Sequence, residues 1–279
     1  MKKELILVIG ATGFVGSELV KILKADGYAI RKTTSKFKLE PDTVKIDVGT
    51  STGIADAFEG ATRAFLMAPP SFTDHYSVLS PLIKEAKRRQ LKKVVLMTAF
   101  GVDASDEIPF RKAEIELEQS GLDYVILRPN WFFENFSSLW LTDIRKKGAI
   151  SIPAGDATVS FIDTKDISAA AAIVLTSDRL NKQSFELTGS VALDHDVVAR
   201  EISAVTGKTI TYRNAPPEEL KVTLLADGLS EEYASLIVLL ATSIKDGYHS
   251  KITTAFKDIT GRDPKSLHQY VVEHQDAWL

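Results

Sequence analysis

Along the first half of the chain, short β-rich runs alternate with longer stretches whose apolar residues recur at helical spacing. Leu5–Ile9 is apolar at every position and too short for a helix, as expected of a central parallel strand covered on both faces. Ala29–Thr33, Val44–Val48, Ala64–Met67, Lys93–Thr98 and Tyr124–Leu127 read as further strands. Between them, Ile54–Phe58 ends at Gly60, the segment around Val78–Arg89 is predicted to kink at Pro81, and Arg111–Gln119 ends at Ser120-Gly121. The alternation predicts an α/β fold with a doubly wound parallel sheet.

Beyond Asn130 the alternation loosens. Ser184–Thr188 and Ile210–Arg213 read as strands, and Asp194–Val205, closed by Gly207, as a helix capped by Asp194. Pro217–Ala226 and Glu231–Ser243 are further helices, the first opened by Pro217. The expectation is a domain over residues 1–150 and a smaller C-terminal α/β lobe over 151–279, interleaved with it and closing a cleft at the carboxyl ends of the strands.

The run from Leu5 leads into Gly10-Ala11-Thr12-Gly13-Phe14-Val15-Gly16, and then into a helix with Val15, Leu19, Val20 and Leu23 on one face and Asp26-Gly27 as its stop. Gly10 allows a sharp exit, Gly13 lets backbone approach a ligand, and Gly16 permits close packing of helix on strand. A helix opening at such a turn is an anion site suited to a pyrophosphate. The strand, turn and helix together predict a Rossmann-type nucleotide-binding domain. At the end of the second strand stands Thr33-Thr34-Ser35-Lys36, with no carboxylate before Glu40. Hydroxyls and a cation at Ser35 and Lys36 suit a 2′-phosphate, which favours NADP (NADPH) over NAD.

A net charge of −3 gives no general basic field, so nucleic acid is not an expected ligand. The absence of cysteine excludes disulfides, thiolate catalysis and cysteine metal sites. Met1-Lys2-Lys3 precedes an apolar run too short for a signal peptide or a membrane span, so a soluble, cytoplasmic protein without membrane association is expected.

The spacing of Gly10-Ala11-Thr12-Gly13-Phe14-Val15-Gly16 resembles the short-chain dehydrogenase/reductase superfamily, particularly its extended and atypical branches. The resemblance implies that Asp47, with its neighbour Val48, meets the adenine, while a turn-forming Asp before Gly49 is the simpler alternative. Ala68 and Pro69 follow the fourth strand and would lie along the cofactor ribose. In that superfamily a Tyr-x-x-x-Lys dyad, with Ser or Thr after the fifth strand, carries proton transfer. Thr98 is placed for the Ser/Thr role, but counting back from Gly121-Leu122-Asp123-Tyr124 puts Asp106 at the tyrosine and Phe110 at the lysine, with Glu114 four residues on. Tyr28-x-x-x-Lys32 falls on the second strand and reads as chance.

Three more stretches sharpen the resemblance: Arg128-Pro129-Asn130-Trp131-Phe132-Phe133-Glu134-Asn135-Phe136, Phe161-Ile162-Asp163-Thr164-Lys165-Asp166-Ile167 and Ile259-Thr260-Gly261-Arg262-Asp263-Pro264. Together they look like the NmrA-like atypical branch, which implies either an NADPH-dependent reductase of quinone, azo, imine or carbonyl-type acceptors, or an NADP(H)-binding redox sensor with a protein partner. Without the dyad, hydride acceptors that need no enzyme-delivered proton fit best. Trp131, Phe132 and Phe136, with Phe100 and Phe110, are the candidates for a stacking substrate pocket, although some of this cluster must be core. A homodimer is compatible with this reading, and the catalytic residue is left open.

Other features have plainer readings. The five histidines, and Asp194-His195-Asp196, lack metal-ligand spacing, so no metal is expected. Asp163 can tie down a loop, and Asp166 is expected to cap a helix over Ile167–Leu175. Lys112 would face away from the Phe110 position. Lys84, Lys87, Arg88, Arg89, Lys92 and Lys93 read as a solvated basic face.

Overall fold

The computed structural model describes residues 4–35 and 41–279. The chain divides into two compact units, Met1–Pro129 with Lys165–Leu187 and Asp258–Gly261, and Asn130–Thr164 with Thr188–Lys257 and Arg262–Leu279. The first break therefore falls at Pro129 rather than at residue 150, because the chain leaves the sheet at the end of its sixth strand and returns later to supply the seventh. Among the described residues no helix is long and apolar enough to cross a membrane.

In chain order the elements are β1 (Leu5–Val8), α1 (Phe14–Ala25), β2 (Ala29–Thr34), β3 (Thr43–Lys45), α2 (Ile54–Phe58), β4 (Arg63–Leu66), α3 (His75–Arg88), β5 (Lys93–Met97), α4 (Pro109–Glu118) and β6 (Tyr124–Pro129). There follow α5 (Leu141–Lys147), β7 (Ala149–Ile152), α6 (Thr164–Thr176), β8 (Gln183–Leu187), α7 (His195–Thr206), β9 (Thr211–Asn214), α8 (Pro217–Ala226), α9 (Glu231–Ser243), α10 (Ala255–Thr260) and α11 (Leu267–His274). In the first unit seven strands pair in the order β3-β2-β1-β4-β5-β6-β8, all parallel, which is the doubly wound sheet expected from the alternation. The central strands are buried on both faces, which explains their continuous apolar runs. On one face Leu7, Leu66, Leu96 and Ile126 pack with Phe58 of α2, Leu79 and Ile83 of α3 and Leu117 of α4. The third strand is shorter than the predicted Val44–Val48, because the Asp47 carboxylate turns the chain. Helix α3 begins earlier than expected and runs through Pro81.

At the amino edge of the sheet two cations are buried, Arg63 at 5% and Lys93 at 1% exposure. Arg63 donates to the Leu175 carbonyl at 3.0 Å and to Asp178 at 2.7 Å, and Lys93 donates to the Ser177 and Arg179 carbonyls at 2.7 and 3.1 Å. Both satisfy carbonyls at and beyond the C-terminal end of α6, where the helix dipole favours positive charge. Lys93 is thus an internal tie, not part of the solvated basic face. Arg88 and Arg89 conform to the plainer reading, since both pair with Glu85.

The second unit has its own core, in which Phe133, Phe136, Trp140, Phe161, Tyr270 and Trp278 gather beside the two-stranded parallel sheet of β7 and β9. Asp194 caps α7 by accepting from the Val197 amide at 2.7 Å, and Gly207 ends it at φ 71°. Ser266 and Gln269 form a capping box on α11. Asp166 does not stand at the N-cap position of α6. The helix already begins at Thr164, so Asp166 lies within its first turn.

The glycine turn seats α1 against β1. Gly10 has φ +76°, and a Cβ on Gly16 would lie 2.2 Å from the Gly10 carbonyl oxygen and 2.7 Å from its carbon. Ser168 of α6 adds a buried hydrogen bond to the Val15 carbonyl at 2.9 Å. Replacing Gly16 by Ala must push helix from strand, and we expect a loss of about 1–3 kcal/mol or more. A urea unfolding midpoint equal to that of the wild type would contradict this packing.

Candidate functional site

The turn after β1 is built so that something other than protein can approach it. Gly13 is the N-cap of α1, its amide donates to the Gly10 carbonyl at 3.0 Å, and no side chain caps the helix. Helices α3, α7, α9 and α11 each have a capping Asp or Ser. Gly13 has φ −85°, open to any residue, and a Cβ there would meet only the Gly10 oxygen at 3.6 Å, an ordinary contact. The fold alone therefore does not require glycine at this position. Its missing side chain clears space in front of the positive end of a helix, where an anionic group binds. Thr12 and Phe14 are exposed beside that space, whereas the Ala11 and Val15 side chains are buried and leave only their backbone to face it.

Ser35 is exposed just past β2, and Lys36 lies outside the described residues. Thr33 is buried, its hydroxyl donating to the Val8 carbonyl at 3.3 Å. Lys32 pairs with Asp42 at 3.2 Å, in keeping with its Tyr-x-x-x-Lys match being chance. One Asp47 oxygen accepts from the Gly49 and Thr50 amides at 3.0 and 3.2 Å, and these bonds, led by Thr50, hold the carboxyl below its usual pKa. That is the turn-forming role, and it fixes Val48 at the edge of the same turn. Ala68, buried, and Pro69, half-buried, follow β4 directly. Since β4 neighbours β1, both segments leave the same edge of the sheet.

Close in sequence to the two dyad positions, α4 carries the centre of a buried ion cluster. Glu114, fully buried on α4, takes a bidentate pair from Arg128 at 3.0 and 2.7 Å, a third bond from Arg111 at 3.0 Å and a fourth from the Thr98 hydroxyl at 2.6 Å. Asp103 completes it on Arg128 at 2.5 Å. Burial works against the Arg128 charge, but its bonds to Glu114 outweigh this and raise its pKa. Thr98 is thus committed to the interior, which corrects the expectation that its hydroxyl faces a cofactor. Asp106 is exposed and 3.4 Å from Arg111, and Lys112 pairs with Glu107 at 2.7 Å. Phe110 stacks on His75 with ring centroids 3.7 Å apart, and burial pushes the His75 pKa down to about 4, so its ring is neutral. Phe100, half-buried after β5, donates its amide to the Pro129 carbonyl at 3.0 Å.

The aromatic run is not a helix throughout. Phe132 bridges to Ile162 in extended conformation, and a 3-10 turn covers Phe133–Ser137. Phe136 has no exposed surface and packs edge-on against Phe161, which removes it from the substrate candidates. Trp131 and Phe132 remain half-buried just past the carboxyl end of β6. Two residues go unread in the sequence. Asn130, 2% exposed, donates to Ser160 and to the His249 carbonyl at 2.8 Å each, and its oxygen bonds the Trp131 amide and His249 Nδ1 at 2.9 Å each. No local spacing could have paired Asn130 with His249. Glu134, 3% exposed, is raised to about 7 by burial and by the Asp163 charge, against the hydrogen bonds that Thr164 gives it. Asp163, fully buried, forms an ion pair with Lys265 at 2.8 Å, in line with the loop-tying role. The concavity lined by Leu91, Lys92, Ser120 and Asp123 precedes β5 and β6 and lies at the opposite, amino edge of the sheet.

A doubly wound parallel sheet with an anion cradle at the carboxyl end of its first strand defines an α/β ligand-binding protein. The chain belongs to the NmrA-like family, whose family model matches residues 2–261. It is 33% identical to prestalk A differentiation protein A of Dictyostelium discoideum, over 97% of this chain and 92% of that protein. It is 25% identical to an NAD(P)H azoreductase of Xenophilus azovorans, over 98% of this chain and 99% of that one. In fold it resembles the Citrobacter triphenylmethane reductase solved with NADP(H), with a TM-score of 0.81 and 21% identity, over 97% of this chain and 99% of that one.

Two outcomes follow from the buried charges. Glu114→Gln removes the carboxylate that Arg128 and Arg111 share, leaving Arg128 to Asp103 and Arg111 to Glu118, and should cost about 1.5–3 kcal/mol in chemical unfolding; a loss below about 1 kcal/mol would show that the cluster is dispensable. Glu134 holds its proton in the folded state up to about pH 7, so its contribution to stability is complete below the ordinary carboxyl pKa near 4.5 and is lost as pH rises towards 7. That loss is on the order of 3 kcal/mol. Stability measured from pH 5 to 8 should decline less in Glu134→Gln than in the wild type, and parallel curves would refute it.

Proposed function

We propose that this chain is an NAD(P)H-dependent oxidoreductase, NADPH being preferred, that passes hydride to a small, electron-poor acceptor. The observation that carries the reading is Gly13: an uncapped helix start with a Cβ space that the protein itself leaves unused. The residues fit a dinucleotide. The Gly10–Gly16 backbone would hold the pyrophosphate, Ser35 and Lys36 the 2′-phosphate, Asp47 and Val48 the adenine, and Ala68 and Pro69 the ribose. When bound, the reduced nicotinamide supplies hydride.

The chain's own part is to orient the acceptor and exclude water, because the positions that would deliver a proton are spent. Glu114 and Thr98 are locked in the ion cluster, Phe110 has no proton to give, and Asp106 is exposed at the surface. This favours acceptors that take hydride as cations, such as iminium or triphenylmethane ions, and quinones or azo compounds whose reduced form takes its proton from water. The similarity to an azoreductase and to a triphenylmethane reductase supports this class. A second reading, an NADP(H)-binding redox sensor without turnover, is favoured by the burial of the Thr98 hydroxyl.

The test is NADPH oxidation by the purified protein with a panel of quinones, azo dyes and cationic dyes, alongside direct NADPH binding. Protein-dependent oxidation is expected. Binding without oxidation across the panel would replace the reductase with the sensor, and no binding would end both. Gly13→Ala should keep the fold, costing less than about 1 kcal/mol at the N-cap, while weakening NADPH at least about tenfold. Lys36→Glu should weaken NADPH more than NADH; equal loss of both would remove the 2′-phosphate assignment.

A further inference from the structure

In the second unit, a short turn is held far more firmly than its place on the surface requires. Residues Tyr248–Ser250 form a 3-10 turn between α9 and α10. Its His249 carbonyl accepts from Asn130 Nδ2 at 2.8 Å and from the Ser160 amide at 2.9 Å. His249 Nδ1 lies 2.9 Å from Asn130 Oδ1, and the Ser160 hydroxyl donates to the Lys251 carbonyl at 2.7 Å. Asn130 and Ser160 are 2% and 0% exposed, so two buried polar side chains are committed to one surface turn. Asn130 also fixes the Trp131 amide, and the Trp131 and His249 rings meet edge to face with centroids 6.2 Å apart.

The aromatic groups so fixed lie at the margin of the core rather than within it: Trp131 packs part-buried against it, its ring 6.2 Å from that of Trp140. Tyr248 is 75% exposed, and Trp131 and His249 are half-buried, whereas Trp140 and Trp278 are 4% and 1% exposed. An aromatic side chain left in water on a pinned backbone gains nothing for folding, but it presents a flat apolar face without having to be ordered when a ligand arrives. Trp131 follows the end of β6 by two residues along the chain.

We propose that Tyr248 and His249, set with Trp131 by Asn130, form the acceptor-recognition element of this protein and select planar aromatic acceptors by stacking. The proposal rests on the reductase reading for the chemistry of its ligand, but the binding it describes precedes hydride transfer. Asn130 is a positioning residue, acting through the two segments that it joins.

Trp131 is the one tryptophan of the three with substantial exposure, so quenching of its fluorescence by menadione or crystal violet, without NADPH, reports binding directly. Saturable quenching is expected in the wild type and its loss in Trp131→Phe. Tyr248→Ala and His249→Gln should each weaken the probe about five- to tenfold, the worth of one aromatic contact, with NADPH affinity unchanged in both and the melting temperature unchanged in Tyr248→Ala. Val222→Ala, at an exposed position on α8, should bind like the wild type. Wild-type affinity in both turn variants, or no saturable quenching in the wild type, would overturn the proposal. Saturable quenching without NADPH oxidation by any acceptor sinks the reductase reading and leaves the recognition element standing. Oxidation with an acceptor KM unmoved in both variants sinks the element and leaves the reductase.

Discussion

Everything at the carboxyl edge of the sheet depends on how closely one helix approaches one carbonyl. Gly16 lies so near Gly10 that no side-chain carbon fits between them, and the start of α1 is drawn onto the end of the central strand β1. Because β1 has β2 on one side and β4 on the other, the segments leaving all three strands emerge around the same helix start. A turn only one methyl group looser would separate the dipole from the strands that must share its ligand. Three glycines thus do three jobs. Gly10 turns the chain, Gly16 seats the helix, and Gly13, which the fold does not need, leaves room.

A second constraint is the buried charge cluster in which Glu114 satisfies two arginines and a threonine. Such a cluster holds α4 to β6 and fixes the loop carrying Asp103, but its members cannot leave it cheaply. The stacked pair His75 and Phe110 is neutral and flat.

Much of the fold was legible because the central strands are covered on both faces and so write their burial as unbroken apolar runs. Pro217–Ala226 and Glu231–Ser243 were readable to the residue, the first because a proline marks its start. Reading failed where a side chain's partner is far away in sequence. Lys93 looks like one more cation in a basic stretch until Ser177 and Arg179 arrive to receive it. Thr98 sits at the right place for a hydroxyl but faces Glu114, and Phe136 belongs to a core assembled from residues as distant as Trp278. Asn130 and His249 are 119 positions apart, beyond any local pattern.

The two cations at the amino edge carry a further consequence, for the order in which the protein can be made. Arg63 and Lys93 emerge early from the ribosome, yet the carbonyls that neutralise their burial belong to residues 175–179, and the strand that closes the sheet is β8, at 183–187. Until synthesis passes that point, the first unit has an open edge beside β6 and two charges that must stay in water. The nascent sheet therefore cannot close as an N-terminal domain. It waits until the excursion through residues 130–164 and the return through α6 and β8 have been made, so the first unit closes only after the opening segment of the second exists.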